Sequence, residues 1–339
     1  MSFGSFDRSK ASRSLLFSSR WAFSIARSMD SWWWSLAISP TGLRFSSSWN
    51  FACRCWNRSG VIPFGGRTES AADTVTPTPV RALTATLDHP AAPVPAGTPL
   101  PPLWHWLYFL PLYRQSEVGP DGHAKRGGFL PPVPLPRRMW AGSQFEFSRP
   151  PRVGDHITRV STIAEVTEKP GRTGPLLFVK VRHEIRANDE RLPAIVEFHD
   201  IVYREAAKPD DAAPPPKAAP SDNPWQRHWV PDDVLLFRYS ALTFNGHRIH
   251  YDRKYVTEVE GYPGLIVHAP LIATLLLDLL RSELPDAVVR RYEFRAVRPL
   301  FDINPFDVCG KPSADGKSVR LWAKDHEGWL AMDATAQIG

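Results

Sequence analysis

Apolar and polar positions alternate with a strand-like period in much of the second two thirds of this 339-residue chain. Eight stretches alternate or form short apolar runs of strand length. They predict eight strands in two groups of four, at residues 144–147, 155–165, 176–186 and 194–204, and at 292–297, 306–311, 318–325 and 330–336. Four strands in succession indicate an antiparallel arrangement in each group.

A different pattern covers residues 270–283, where nearly every face of a predicted helix is apolar. Pro270 suits its first turn, because the missing N–H has no helical partner there. A helix apolar on all sides, about 21 Å long, has to be buried, and a curled sheet is the simplest cover. A long helix wrapped by an antiparallel sheet, repeated in both halves, predicts an α+β double hotdog fold with two sheets, each wrapped round a long helix.

Proline distribution divides the chain. Fourteen prolines between Pro77 and Pro136 exclude long helices and central strands there, and they flank an aromatic stretch, residues 103–110, predicted as a short buried helix. Residues 207–224 contain six Pro and five Ala, a linker composition. We therefore predict a first half at 66–206 and a second at 225–339. Similar four-residue segments at 147–150 (FSRP) and 297–300 (VRPL) indicate a weak internal repeat.

Residues 1–65 differ from the rest. They contain 16 Ser, 6 of the 13 Trp and no Glu, with eight basic side chains against two acidic ones. Three interpretations remain open: an over-extended start, a mitochondrial transit peptide, or a structured extension. We expect a chain that begins at Gly66 to fold and to be as active as the full chain.

Charge and cysteine content narrow the function classes. The first segment carries the whole formal net charge of +6, and the remainder holds 33 basic and 33 acidic side chains. A basic surface for nucleic acid is therefore not expected. Three cysteines exclude a disulfide framework and favour a reducing compartment. The most apolar stretch is too short and too polar to span a bilayer. We expect a cytoplasmic protein without membrane partners, or a mitochondrial one if residues 1–65 are a transit peptide.

Polar side chains that could take part in catalysis are densest in residues 239–252, just before the buried helix. The run Asn245-Gly246-His247-Arg248-Ile249-His250 resembles the motif of MaoC-like enoyl-thioester hydratases. Residues 128–132 (GFLPP) and 137–142 (RRMWAG) strengthen a resemblance to the branch of hydroxyacyl-thioester dehydratase type 2 and mesaconyl-C(4)-CoA or itaconyl-CoA hydratases. The resemblance covers about residues 66–339 and implies a hotdog hydro-lyase without metal or redox cofactor.

One departure from that motif bears on mechanism. The family motif has Asp where this chain has Asn245, and Asn where it has His247. A carboxylate exchanges a proton with water and an amide does not. His250 takes the place of the family histidine, so the resemblance implies His250 as catalytic base, with Asn245 and His247 assisting.

Addition of water to an enoyl thioester also needs donors for the enolate oxygen. Backbone amides at the start of the helix, at His268 and Ala269, are candidates. A CoA thioester brings phosphates, and a dicarboxylic acyl group brings a carboxylate, both of which arginine binds bidentately. The candidate substrate-binding residues are Arg137, Arg138, Arg248, Tyr239 and Trp104.

Several alternatives stay open. His247, His250 and Asp252 could form a metal site, although a third ligand at fixed short spacing is missing. His250 and His268 could be structural histidines, the aromatic stretch could be core, and the arginines could be a solvated face. The expected substrate is an acyl-CoA or acyl-ACP thioester, preferably mesaconyl- or itaconyl-CoA. Dehydration of 3-hydroxyacyl thioesters in fatty-acid metabolism, thioester hydrolysis and non-catalytic binding remain alternatives. A homodimer is the expected assembly.

Overall fold

A computed structural model describes residues 64–125, 127–171, 174–205 and 215–339 of the chain. All of them belong to one compact unit. Its strands are β1 Thr68–Thr74, β2 Arg137–Phe147, β3 His156–Gly171, β4 Gly174–Ala187, β5 Ile195–Arg204, β6 Trp225–Trp229, β7 Val289–Ala296, β8 Phe306–Pro312, β9 Ser318–Asp325 and β10 Leu330–Ile338. Its α-helices are α1 Pro77–Thr86, α2 Asp233–Leu242, α3 Arg253–Glu258 and α4 Ala269–Glu283.

The ten strands form one continuous antiparallel sheet in the order β1-β3-β4-β5-β2-β7-β10-β9-β8-β6. Each strand of the first five has its counterpart five strands later, so the two halves are mirror-ordered about the β2–β7 seam. Gly142 pairs with Arg295 there, and a Cβ on Gly142 would lie 2.3 Å from the Phe294 carbonyl oxygen. Glycine is therefore required for the two strands to approach this closely.

The second half contains the predicted long helix. Every residue of α4 from Leu271 to Leu280 is buried, which confirms the expectation drawn from its apolar faces. One of them is Asp278, whose carboxylate lies 2.8–2.9 Å from His89, Arg227 and Arg281. The two arginine cations and the contact with His89 offset the cost of removing a carboxylate from water.

The first half carries no comparable helix among its described residues. Its helix α1 has ten residues and begins at two prolines, which are tolerated in a first helical turn. The aromatic stretch forms a 3₁₀ turn, Trp104–Leu107, buried as predicted. Both halves share one apolar core. The α+β double hotdog class is confirmed, with two differences from the prediction. The two sheets are joined into one, and within the described ranges a long helix lies only in the second half.

All eight predicted strands are present, with ends shifted by a few residues except in β2, which begins at Arg137. The strands and α-helices that sequence analysis missed are β1, β6, α1, α2 and α3. Two of them, β1 and β6, are the sheet edges, and their sequences are too polar to show an apolar period.

The internal repeat is visible in hydrogen bonds. The amides of Ser148 and Arg149 both donate to the Ala194 carbonyl, and those of Val297 and Arg298 both donate to the Ala331 carbonyl. Residues 1–63 of the predicted first segment, and residues 207–214 of the predicted linker, lie outside the described residues. No helix in the described part of the chain is long and apolar enough to cross a membrane.

Candidate active site

A tight loop after α2 presents the motif. The amide of Asn245 donates to the Ser240 carbonyl (2.8 Å), and its side-chain Oδ1 accepts from the His247 amide (3.0 Å). Phe244 has φ +50°, a left-handed conformation that reverses the chain at this point. The loop continues into a 3₁₀ turn, Arg248–His250. Asn245 therefore shapes the turn that holds the histidines.

His250 is buried and fixed in one tautomer. Its Nδ1 lies 2.7 Å from the Ile266 carbonyl oxygen, which can only accept, so Nδ1 carries the hydrogen. The neutral ring then has its lone pair on Nε2. Burial lowers the pKa of His250 to about 4, despite the opposing effect of the hydrogen bond to Ile266. At neutral pH His250 is a neutral imidazole with one free basic nitrogen.

His268 lies behind His250, at the N-cap of α4. The two rings are stacked with centroids 3.7 Å apart, and His268 Nε2 lies 2.8 Å from Ser240 Oγ. The His268 ring has no solvent exposure and packs between Ser240 and His250. The adjacent Ala269 amide belongs to the first turn of α4, where backbone N–H groups have no partner within the helix.

A loop from the first half meets this motif. The amide of Arg248 donates to the Asp121 carbonyl (2.9 Å). Gly122 has φ +89°, and a Cβ there would lie 1.8 Å from the Gly246 carbonyl oxygen. Only glycine allows this contact. It brings Asp121 and His123 into the site, with His123 Nδ1 3.0 Å from Asp121 Oδ2.

Four imidazoles form a row across the junction of the halves. His123 and His247 have ring centroids 3.9 Å apart, His247 and His250 5.5 Å, and His250 and His268 3.7 Å. Burial lowers the pKa of all four. His247 is lowered to about 2 by burial and then by the charges of its neighbours His123 and His250.

Asp121 sets one end of this row apart. Burial opposes its ionisation, yet the hydrogen bond from His123 holds the pKa of Asp121 well below its usual range. In return, this hydrogen bond opposes the lowering of the pKa of His123 by burial. His123 is thus the imidazole of the row that has a carboxylate partner.

Asp121, His123 and His247 also place one potential ligand atom each within 4.8 Å of one another, which no other group of the described residues does. The set weighed from the sequence, with Asp252, does not form, because the Asp252 carboxylate caps α3 and binds Arg248. The Asp121–His123 hydrogen bond already occupies a lone pair and a ring nitrogen of that group.

The three candidate arginines differ in their partners. Arg137 forms an ion pair with Glu260. Arg248 binds Asp252 and the Pro120 carbonyl. Within the described residues Arg138 has no carboxylate at ion-pair distance, and its charge lowers the pKa values of His123, His199 and His247. Arg138 is therefore the arginine that remains available to an anion beside the histidine row.

Tyr239 and Trp104, predicted to bind substrate, are 2% and 4% exposed. Tyr239 packs edge-on against His268, with centroids 5.0 Å apart. Trp104 lies in the core beneath the Arg281 guanidinium. Tyr239 therefore supports the site from behind, whereas Trp104 lies beside Arg281, near the opposite end of α4 from His268.

A polar groove on the outer face of the seam is separate from the histidine row. Charged side chains line much of it, including Lys180, Glu293, Arg295 and Asp333. None of the four histidines contributes to its lining, so the groove is not part of the candidate site.

The joined sheet, wrapped round the buried helix α4, defines a double-hotdog protein. A Mycobacterium tuberculosis protein described as having a double hotdog fold superposes with a TM-score of 0.50, at 15% identity over 83% of this chain and 99% of that one. A MaoC-like dehydratase from Phytophthora capsici superposes with a TM-score of 0.56, at 12% identity over 81% of this chain and 96% of that one. These likenesses establish the fold.

Sequence comparison is more specific. Residues 103–302 match the model of the family hydroxyacyl-thioester dehydratase type 2. The chain is 46% identical over 274 residues to the mesaconyl-C(4)-CoA hydratase of Chloroflexus aurantiacus, which covers 81% of this chain and 96% of that protein. The chain belongs to the hydroxyacyl-thioester dehydratase type 2 family and is a hydro-lyase enzyme.

Proposed function

We propose that the enzyme adds water to the C=C bond of a short dicarboxylic acyl-CoA and forms citramalyl-CoA. The preferred substrate is mesaconyl-C(4)-CoA, in which this bond is the C2=C3 bond conjugated with the thioester. Itaconyl-CoA, whose double bond is a methylene group on C3, is the alternative substrate. The observation that carries the choice of substrate is the 46% identity to a mesaconyl-C(4)-CoA hydratase along almost its full length. The reverse reaction is dehydration of the corresponding 3-hydroxyacyl thioester.

His250 is the base in this proposal. Its Nδ1 is committed to the Ile266 carbonyl, so Nε2 takes a proton from water as the water oxygen bonds to C3. Negative charge then develops on the thioester oxygen. The free amide of Ala269, at the N-terminus of α4, stabilises it. Asn245 holds the His247 amide and thereby the turn on which His250 lies.

Arg138 binds the distal carboxylate of the acyl group. Support comes from its lack of an acidic partner among the described residues and from its electrostatic effect on His123 and His247. A carboxylate placed in a half-buried site without a cation would be strongly disfavoured. The other two arginines already have acidic partners, so they are weaker candidates for this role.

The experiment is a kinetic panel that follows loss of the conjugated enoyl-thioester absorbance for the 2-enoyl substrates and formation of citramalyl-CoA, by chromatography, for itaconyl-CoA. We expect mesaconyl- or itaconyl-CoA to have a higher kcat/KM than crotonyl-CoA and than a long-chain 2-enoyl thioester. Arg138→Gln should abolish this preference, mainly through KM. Arg149→Gln removes an arginine ion-paired to Glu190 elsewhere in the first half and should preserve it.

Faster turnover of crotonyl-CoA or a long-chain substrate would replace the dicarboxylate assignment with a fatty-acyl 3-hydroxyacyl-CoA or acyl-ACP dehydratase, a reaction that the family's description favours. Release of free CoA without hydration would identify a thioesterase, and binding without turnover a non-catalytic module. We further propose a cytoplasmic location, since the three cysteines offer no disulfide framework. A homodimer is the proposed assembly. Light scattering of the purified enzyme tests the dimer.

A further inference from the structure

The motif lacks one proton-exchanging group, because position 245 is an amide. Hydration needs two such groups: one accepts a proton from water and the other delivers a proton to C2. His250 can serve as the first. Within residues 239–252 the other histidine, His247, is the most strongly disfavoured as a cation, since burial and two neighbouring imidazoles lower its pKa to about 2. The second group has to be sought outside the motif.

The first half supplies a carboxylate and an imidazole at this place. His123 Nδ1 lies 3.0 Å from Asp121 Oδ2, and the His123 amide lies 3.1 Å from Asp121 Oδ1. The same loop is fixed to the motif by the contact of Gly122 with Gly246 and by the hydrogen bond from the Arg248 amide to the Asp121 carbonyl. The His123 ring lies against His247, with centroids 3.9 Å apart.

We propose that His123, held by Asp121, is the second proton-transfer residue of the reaction, so that the site is completed by one residue from each half of the fold. This proposal rests on the hydratase function and on the role of His250 proposed above. Asp121 is a positioning residue: it fixes Nδ1–H of His123, directs the opposite nitrogen Nε2 outward, and stabilises the imidazolium form.

The proton inventory balances over one turnover. The C3–O bond forms as one O–H bond of water breaks and its proton passes to His250 Nε2. The electron pair of the C2=C3 bond moves onto C2 and the thioester, and C2 takes a proton from the His123 imidazolium. His250 then releases its proton to solvent, and His123 takes up one proton from solvent. The net change is addition of one water.

The preference for His123 as the acid follows from its surroundings. The charged and titratable groups that face it are Asp121 on its own loop, Arg138 on β2, and His247 and His250 in the motif. Burial, Arg138 and the imidazoles disfavour the cation, and Asp121 favours it. No other ring of the row is hydrogen-bonded to a carboxylate in the described part of the chain, so His123 is the ring of the row best able to carry a proton.

The test uses His123→Ala and Asp121→Asn in the full chain. His228→Ala is the matched control, because His228 lies 3.0 Å from the Asp307 carboxylate on the exposed surface. We expect His123→Ala to lower kcat by ~100-fold or more with little change in KM, added imidazole to restore part of the rate, and His228→Ala to act like wild type.

Asp121→Asn provides a second readout. A general acid must be protonated, so activity falls as pH rises through its pKa. Loss of the carboxylate lowers that pKa, and the high-pH limb of the kcat profile should move to lower pH while its low-pH limb, set by His250, stays. If His123→Ala fails to fold in a thermal melt, this shift alone decides the matter, and an unshifted limb would overturn the proposal.

Other outcomes are equally decisive. If the wild type is active and His123→Ala keeps more than about half of its rate, this proposal is overturned and the hydratase function stands. A wild type that hydrates no enoyl thioester would overturn both. Loss of activity on dialysis against EDTA, restored by Zn²⁺, would replace the proton-transfer role of Asp121 and His123 with metal binding.

Discussion

The two halves of the sheet share a strand order but fill their concave sides differently. The second half holds the fifteen-residue helix α4, buried from Leu271 to Leu280. The first half has the ten-residue α1 and the Trp104–Leu107 turn in its place. It also buries a polar cluster in which the carboxylate of Glu197 lies 3.3–3.4 Å from His105, Trp106 and Ser143.

This difference explains how one fold unit can be used twice. The second half keeps the helix N-terminus and the histidine turn, which need a rigid apolar support. The described residues of the first half contain no long helix. The proline-rich segment of this half carries Asp121 and His123. The first half thus supplies Asp121 and His123 to the site that the second half builds.

The strongest way to test this division is His250→Ala. The ring is the one imidazole of the motif with its tautomer fixed by a backbone carbonyl, so we expect kcat to fall by at least ~100-fold with little loss of stability. Enzyme kinetics together with thermal melts measure both. A variant that keeps most of its activity would move the role of base to His247 or to the first half.

Contact between the halves is tested next by Gly122→Ala. The added Cβ would overlap the Gly246 carbonyl oxygen at 1.8 Å and displace the Asp121 loop. We expect kcat/KM to fall ~10–100-fold, as for a misplaced catalytic group. Gly97→Ala is the control: Gly97 has φ +83° but no atom within 4 Å of its Cβ position, so it reproduces the backbone strain without the clash. Equal effects of both variants would deny the contact any role.

His199 on β5, which stacks on Trp140 and is affected by the charge of Glu197, predicts a pH dependence of stability. Burial lowers the pKa of His199 to about 3, whereas the unfolded value is about 6.5. The unfolded chain therefore binds more protons below pH 6.5, and stability is lost as pH falls from there. His199→Gln should reduce the loss in the free energy of unfolding between pH 7 and pH 5 by about 2 kcal/mol, as measured by urea titration. An unchanged loss would contradict it. The exposed His228→Gln should behave as wild type.

Sequence analysis predicted the eight core strands, α4 and the turn at His250, because each has a local signal: alternation, an all-apolar helix, or a motif. It missed Asp121 and His123, since their partners lie more than a hundred residues away along the chain. The one local signal was Asp121-Gly122-His123, an Asp and a His flanking a glycine among prolines. The arginines show the same limit: their candidacy follows from their type, but only the folded chain distinguishes Arg138 from Arg137, which binds Glu260.

The smallest expected effect concerns Asn245, and it sharpens the comparison between the halves. Asn245→Asp keeps the acceptor for the His247 amide and adds a carboxylate beside His250, so it should retain activity and can gain some. Asn245→Ala removes that acceptor and should slow turnover a few-fold, about the effect of one lost hydrogen bond. Equal, unimpaired rates in both would remove Asn245 from the mechanism. In a His123→Ala background, Asn245→Asp should recover part of the lost rate, because the second proton-exchanging group then returns from the motif itself. No recovery would mean that the carboxylate at 245 and the imidazole at 123 do not perform the same task.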